Sequence, residues 1–226
     1  MERENSLRDR LIDVGVDLVM TEGTSSLGLR EIARRAGVSH GAPRRYFPTH
    51  HALLSAIAHR GLADLKDRFT AVTRGIPSAR GQLETLGKTY IGYALECRGM
   101  FELLLRHDLL DSQRHTSDEP RLRELTLPLF GIIVELVSRH REEEKGTLPL
   151  GTTRDMPPPA VSAGLLWANL HGIAQLWAWG SLPLALGTAG TGGAESGGAE
   201  TGGAESGVLD TLVSVAMDTH LGPVNP

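Results

Sequence analysis

Residues 29–47, LREIARRAGVSHGAPRRYF, constrain the local geometry of this chain more tightly than any other segment. Leu29, Ile32, Ala33 and Ala36 recur at helical spacing and Gly37 stops the run, so a short helix ends where the chain must turn. Ala33 is small enough to let a second helix cross at a steep angle. Gly37 can take the left-handed backbone that a sharp turn needs, Val38 plugs the core, and Ser39 is placed to cap a following helix over His40–Phe47. Upstream, Leu7, Leu11, Val14, Leu18 and Val19 form an apolar stripe within Glu4–Glu22, closed by Gly23. Three helices in this order, the last two joined by a tight turn, make a helix-turn-helix.

Helices crossed in this way leave one face of the second protruding, free to enter a major groove about 12 Å wide. Arg44 and Arg45 lie on that helix, and each guanidinium suits either the paired acceptors of a guanine edge or a phosphate; which arginine does which stays open. Ser39 and His40 at its start suit phosphate oxygens. The Tyr46 hydroxyl and His50, beside a Thr49 cap on the next helix, are further phosphate candidates, whereas Phe47 is expected to pack inward. Pro43 removes one backbone donor near the first turn of the helix, where the cost is limited.

The charge distribution favours the same segment. The chain of 226 residues carries a net charge of −4, so attraction to nucleic acid has to be local. Residues 1–60 hold nine arginines against seven acids, and from Arg30 to Arg60 there are six arginines, four histidines and only one acid, Glu31.

Beyond this module the pattern stays helical. A long helix is expected over about His50–Arg74, with further amphipathic segments at Arg80–Arg98, Met100–Leu110, Pro120–Lys145, Pro159–Gly180 and Val208–Leu221, and no alternating strand. The expected fold is all-α with roughly nine helices: an N-terminal three-helix DNA-binding domain over 1–55, and a helical ligand-binding and dimerisation domain over 56–226. Within the latter, residues 187–207 contain three near-copies of one unit, TGGAE, SGGAE and TGGAE, and read as a flexible linker because they offer almost no apolar side chain to bury.

The segment Leu29–Leu54 resembles the DNA-binding module of the TetR family of bacterial regulators, at Arg30-Glu31-Ile32-Ala33, Ala36-Gly37-Val38-Ser39, Gly41, Tyr46-Phe47-Pro48 and Ala52-Leu53-Leu54. It departs at Gly28, where Thr usually caps the second helix, at Arg44, where Tyr is common, and at His50, where Lys is usual. The residues expected to face DNA are therefore Arg30, Ser39, His40, Gly41, Ala42, Arg44, Arg45, Tyr46 and His50. Further on, Trp167-Ala168-Asn169-Leu170-His171-Gly172 is similar to the Trp–His–Gly segment of one TetR C-terminal subgroup. The resemblance implies a homodimer joined by its last two long helices.

Pro159–Gly180 is apolar nearly all round, and a helix buried on two sides needs two partners. Val161, Leu165, Ala168 and Gly172, with Leu209, Leu212, Val213 and Ala216 of the last helix, are expected to meet a second subunit in a four-helix interface. Tyr90, Tyr93, Phe101, Phe130, Trp167, His171 and Trp179 are either the lining of a ligand pocket or part of the core. His171 has no second His, Cys or carboxylate three or four residues on, so no metal site is expected, and no cofactor motif or nucleophile elbow appears. The lone Cys97 excludes an internal disulfide, and no segment reads as a signal peptide or bilayer span, which suggests a cytoplasmic protein.

The function expected is a DNA-binding repressor and not an enzyme. A small apolar or amphipathic effector would release it from an inverted-repeat operator. The rival is an all-helical binding or structural protein with a vestigial helix-turn-helix.

Overall fold

Helix α1 (Leu7–Glu22) starts where Ser6 Oγ accepts the Asp9 amide at 3.2 Å and ends where Gly23 turns at φ +81°. The computed structural model describes residues 6–106, 122–145, 156–188 and 200–223. After α1 come α2 (Leu29–Arg35), α3 (His50–Thr73), α4 (Ala79–Glu96), α5 (Arg98–Leu104), α6 (Leu122–Lys145), α7 (Pro159–Ala178), α8 (Ser181–Ala185) and α9 (Glu200–Leu221). No strand occurs among the described residues, in agreement with the all-α expectation.

The chain divides into two compact units, one of residues 1–67 and 96–129, the other of 68–95 and 130–226. The first is larger than the expected 1–55 module. Helix α3 runs unbroken through residue 55, and α5 packs against α1. That packing depends on Gly99, where a Cβ would lie 2.1 Å from the Val19 carbonyl oxygen. Leu11, Leu18, Ile32, Leu53, Ile57 and Leu103 are fully buried, and Gly15 leaves room for the end of Ile57.

In the second unit, Leu83, Ile91, Val137, Ala163, Leu166, Ala174 and Met217 are buried, and α9 packs along α7. Gly87 allows a close approach: a Cβ there would sit 3.1–3.3 Å from side-chain atoms of Met217, Leu170 and Val213. The Arg80 guanidinium ties α4 to the end of α9, donating to the Gly222 carbonyl at 2.6 Å and pairing with Asp218.

Two elements of the second unit differ from the sequence reading. Helix α9 begins at Glu200, the last residue of the second copy of the repeat, and so takes in the whole third copy, and not at Val208; residues 189–199 of the expected linker lie outside the described residues. Once the apolar part of α9 has formed, each added turn toward the N-terminus gains backbone bonds without a new nucleus, and Ala and Glu propagate helix well. The short α8 was not legible in the sequence.

Candidate nucleic-acid interface

The turn expected between the second and third elements is present. Ala33 is fully buried, Gly37 takes φ +67°, and the Val38 amide reaches back to the Ala33 carbonyl at 3.0 Å. The third element is not the expected α-helix over His40–Phe47. It is a succession of turns ending in a 3₁₀ turn at Pro43–Arg45, held by Ala42 N–H to Ser39 O (2.9 Å), Arg45 N–H to Ala42 O (3.2 Å) and Tyr46 N–H to Pro43 O (3.0 Å). Pro43 explains the change: it has no N–H for the Ser39 carbonyl, so the α-type ladder cannot close there. Its ring is buried, and Phe47, 2% exposed, packs inward as expected.

The arginines of this region divide by partner. Arg34 and Arg35 both bond Glu31, at 2.5 and 2.9 Å, and Arg35 also pairs with Glu22. The hydrogen bonds from Arg34 and Arg35 hold the Glu31 carboxyl well below its usual range, at about 2. Arg60 pairs with Asp13 at 3.2 Å. Arg30, Arg44 and Arg45 are exposed, and among the described residues none of their three guanidinium groups has an ion-pair or hydrogen-bond partner. Part of the local basic excess is therefore already neutralised. Of these arginines, Arg44 and Arg45 on the 3₁₀ turn and Arg30 in the first turn of α2 remain available to an anion.

Ser39, His40, Gly41 and Tyr46 are exposed on the same segment, and Ala42 is half-buried. His50 is exposed, but its Nε2–H donates to the Leu27 carbonyl, tying the start of α3 to the loop before α2. Thr49 caps α3 as expected, accepting the Ala52 amide at 3.0 Å. Sequence reasoning missed two residues of α1. Arg10 Nη2 donates to the Ala36 carbonyl at 2.9 Å, and the Arg8 guanidinium lies 5.5 Å from the Phe47 ring centroid. Their partners are too distant in sequence for any periodicity to announce them.

In the second unit, four of the expected pocket residues come together. The Tyr90 hydroxyl and His171 Nδ1 are 3.1 Å apart, the Trp167 and His171 rings lie 6.1 Å apart, and Phe130 meets Trp167 edge-on at 6.4 Å. Burial pushes the Tyr90 hydroxyl up against the opposing effect of a hydrogen bond from Trp167, and burial pushes the His171 imidazole down. The other three have settings of their own. Tyr93 is buried with the Arg68 guanidinium 5.1 Å over its ring, Phe101 belongs to the core of the first unit, and Trp179, at the end of α7, is 63% exposed.

The expected interface set also divides. Val161, Leu165 and Ala168 are exposed along α7, Gly172 is half-buried, and Leu176 continues the stripe. Ala168, Gly172 and Leu176 line a groove with Leu212, Val215, Ala216 and Thr219 of α9. Leu209 is half-buried. Val213, 1% exposed, lies in the unit's own core beside Gly87, so the free edge of α9 runs through Leu212 and Val215, the latter 54% exposed. The cause is that α9 is apolar on two faces and α4 and α7 cover the one bearing Val213 and Met217. Among the described residues no group of acids, histidines and cysteines is placed to hold a metal.

An all-helical chain with this turn and this set of free arginines is a helix-turn-helix protein of the nucleic-acid-binding class. Residues 11–57 match the N-terminal model of bacterial regulatory proteins of the tetR family, and residues 83–191 match a Tetracyclin repressor-like C-terminal domain. The chain belongs to the TetR family. It is similar to the HTH-type transcriptional regulator BetI of Pectobacterium carotovorum, 37% identical over 78 residues that cover 32% of this chain and 40% of that one. It is also similar to an HTH-type regulator from the dhlA 5' region of Xanthobacter autotrophicus, 26% identical over 119 residues, 50% of this chain and 57% of that one. The chain thus aligns to less than two thirds of either relative's length. Among solved structures, a Rhodococcus sp. RHA1 protein of unknown function superposes with a TM-score of 0.67 at 25% identity, covering 97% of this chain and 96% of that one. A putative TetR-family regulator from Rhodococcus superposes with a TM-score of 0.59 at 18% identity, over 93% and 98% of the two chains.

Proposed function

We propose that this chain is a ligand-responsive transcriptional repressor that binds an inverted-repeat operator as a homodimer, with residues 1–55 as its DNA-reading module and 56–226 as its sensing and pairing domain. The observation that carries the reading is the pair Arg44 and Arg45, exposed without partners on the turn that follows Gly37, while the neighbouring Arg34 and Arg35 are tied to acids. Free guanidinium groups on a protruding turn suit guanine edges and phosphates. Arg30, Ser39, His40, Gly41, Ala42, Tyr46 and His50 complete the facing surface.

A dimer requires a second subunit to cover the exposed stripe of Val161, Leu165 and Ala168, and Leu212 and Val215 extend that apolar surface onto α9. Two reading elements related by a two-fold axis call for two half-sites in opposite orientation. The effector is a small apolar or amphipathic molecule, and the Tyr90–Trp167–His171–Phe130 cluster, in the Trp–His–Gly segment and its surroundings, supplies aromatic walls with a few polar groups. Ligand binding shifts the DNA-competent population by its differential affinity for two conformers. Such a protein works in the cytoplasm, and no described helix is long and apolar enough to cross a membrane.

The test is selection of duplexes from a random pool by the full chain, followed by binding measured across salt concentrations. Specific binding that weakens steeply with salt and is lost on replacing both Arg44 and Arg45 by Ala supports the reading. Full specific binding by that double variant overturns the assigned interface, and absence of any specific binding favours the vestigial rival.

A further inference from the structure

The segment that carries Arg44 and Arg45 has little stiffness of its own. Between Gly37 and Phe47 the backbone makes turn and 3₁₀ bonds only, apart from one α-type bond from the Phe47 amide to the Pro43 carbonyl at 2.8 Å. A continuous α-helix would hold its side chains by a cooperative ladder; single turns do not. Something outside the segment has to fix where the two arginines point.

The first turns of α1 are anchored independently. Ser6 Oγ accepts the Asp9 amide and donates to Asp9 Oδ2 at 2.7 Å, and the Arg10 amide bonds the Ser6 carbonyl at 3.0 Å. From this anchored turn two side chains reach the two ends of the reading segment. Arg10 Nη2 donates to the carbonyl of Ala36, the residue that ends α2 and immediately precedes the left-handed Gly37. That carbonyl is one of the acceptors a helix C-terminus leaves without an intrahelical partner, and a cation suits it on electrostatic grounds as well. Arg8 places its guanidinium over the ring of Phe47, the buried residue that closes the segment.

We infer that Arg8 and Arg10 are positioning residues for DNA reading, a pair of braces from α1 that hold the ends of the 37–47 segment so that Arg44 and Arg45 meet a duplex in one orientation. The inference rests on the DNA-binding reading above. Lysine is a poor substitute at either site, because the contact at Phe47 uses a planar cation and the contact at Ala36 uses a directed N–H of a fork.

The test uses the full chain, the duplex that the wild-type chain selects from a random pool, and the variants Arg8→Gln, Arg10→Gln and the corresponding lysine substitutions. Each glutamine variant is expected to weaken binding about two- to fivefold, the size of an exposed cation–π or single hydrogen-bond contact. The slope of log affinity against log salt should stay that of the wild type, because no phosphate contact is lost. Replacing Arg45 by Ala would instead flatten the slope by about one if that side chain grips phosphate. The lysine variants should recover little of the affinity although they restore the charge. Backbone hydrogen exchange at residues 38–47, read without DNA, should be faster in all four variants.

A flattened slope in Arg8→Gln or Arg10→Gln would make that residue a direct phosphate contact and overturn its bracing role. So would full recovery by lysine, or unchanged affinity. If the wild-type chain selects no duplex, the DNA-binding reading fails by itself, and the exchange measurement still decides the brace: unchanged protection at 38–47 refutes it. If a glutamine variant does not fold, the lysine variants carry the same comparison.

Discussion

The Tyr90 hydroxyl and His171 Nδ1 lie 3.1 Å apart, joining α4 to α7 by a polar contact beside the rings of Trp167 and Phe130. Burial favours the neutral imidazole, and neutral Nδ1 can accept the phenolic proton.

His171 therefore makes stability depend on pH in a known direction. Its folded pKa is lowered, so below its ordinary value near 6.5 the unfolded chain binds more protons, and stability falls as pH drops through that region. His220, also lowered by burial, adds to the same window. Glu31 acts in a separate one: its contribution is complete above its ordinary value of 4.5 and is lost as pH falls toward about 2. Thermal melts from pH 8 to pH 5 should show a declining midpoint, and a His171→Gln variant should show a shallower decline. An equally steep decline in the variant would remove His171 from the account.

Replacing Tyr90 by Phe leaves the ring and removes the hydroxyl, at an expected cost of about 1 kcal/mol in urea unfolding. A neutral or stabilising result would mean that the contact to His171 is made equally well to water.

Gly99→Ala is expected to destabilise the chain by ~2 kcal/mol or more, because the new methyl would meet the Val19 carbonyl, a backbone atom that cannot step aside. Gly15→Ala should cost less, since its methyl meets the movable end of Ile57. Urea unfolding of the two variants gives the ranking, and the reverse order would contradict this packing.

Arg34→Ala should change specific DNA affinity little and leave its salt dependence intact, because Arg34 is already paired with Glu31. Arg45→Ala should weaken binding and, where the contact is to phosphate, flatten the salt slope by about one. Fluorescence anisotropy titrations at several salt concentrations separate the two. Equal effects would mean that the Glu31 pair opens on DNA.

Leu165→Glu or Val215→Glu places a carboxylate on the exposed apolar face and should give a folded monomer by sedimentation. Val213→Glu should unfold the second unit instead, because that side chain is already enclosed. A dimer that survives both exposed substitutions would place the subunit contact elsewhere.

Much of the site was legible because it is local. Ala33, Gly37 and Phe47 do what their spacing requires, since turn geometry and helical periodicity depend on neighbours in the chain. The Glu31–Arg34 and Glu31–Arg35 pairs follow the same short-range logic, although their consequence, the neutralising of two arginines, emerges only once the bonds are formed. Near a helix start a proline is tolerable on sequence grounds alone. Its missing N–H faces the Ser39 carbonyl, and the α-helix gives way to a 3₁₀ turn.

By itself the sequence determined the all-helical class, the turn at Gly37 and the position of Arg44 and Arg45, because propensity, periodicity and glycine's freedom act within a few residues. Only the tertiary structure decided which arginines stay free, that Arg8 and Arg10 reach Phe47 and Ala36, that Trp179 stands apart from Trp167, and that Val213 turns into the core while Val215 turns out. These outcomes depend on which helix faces which. A helix apolar on two sides, such as α9, carries no local mark of the face its neighbours will cover.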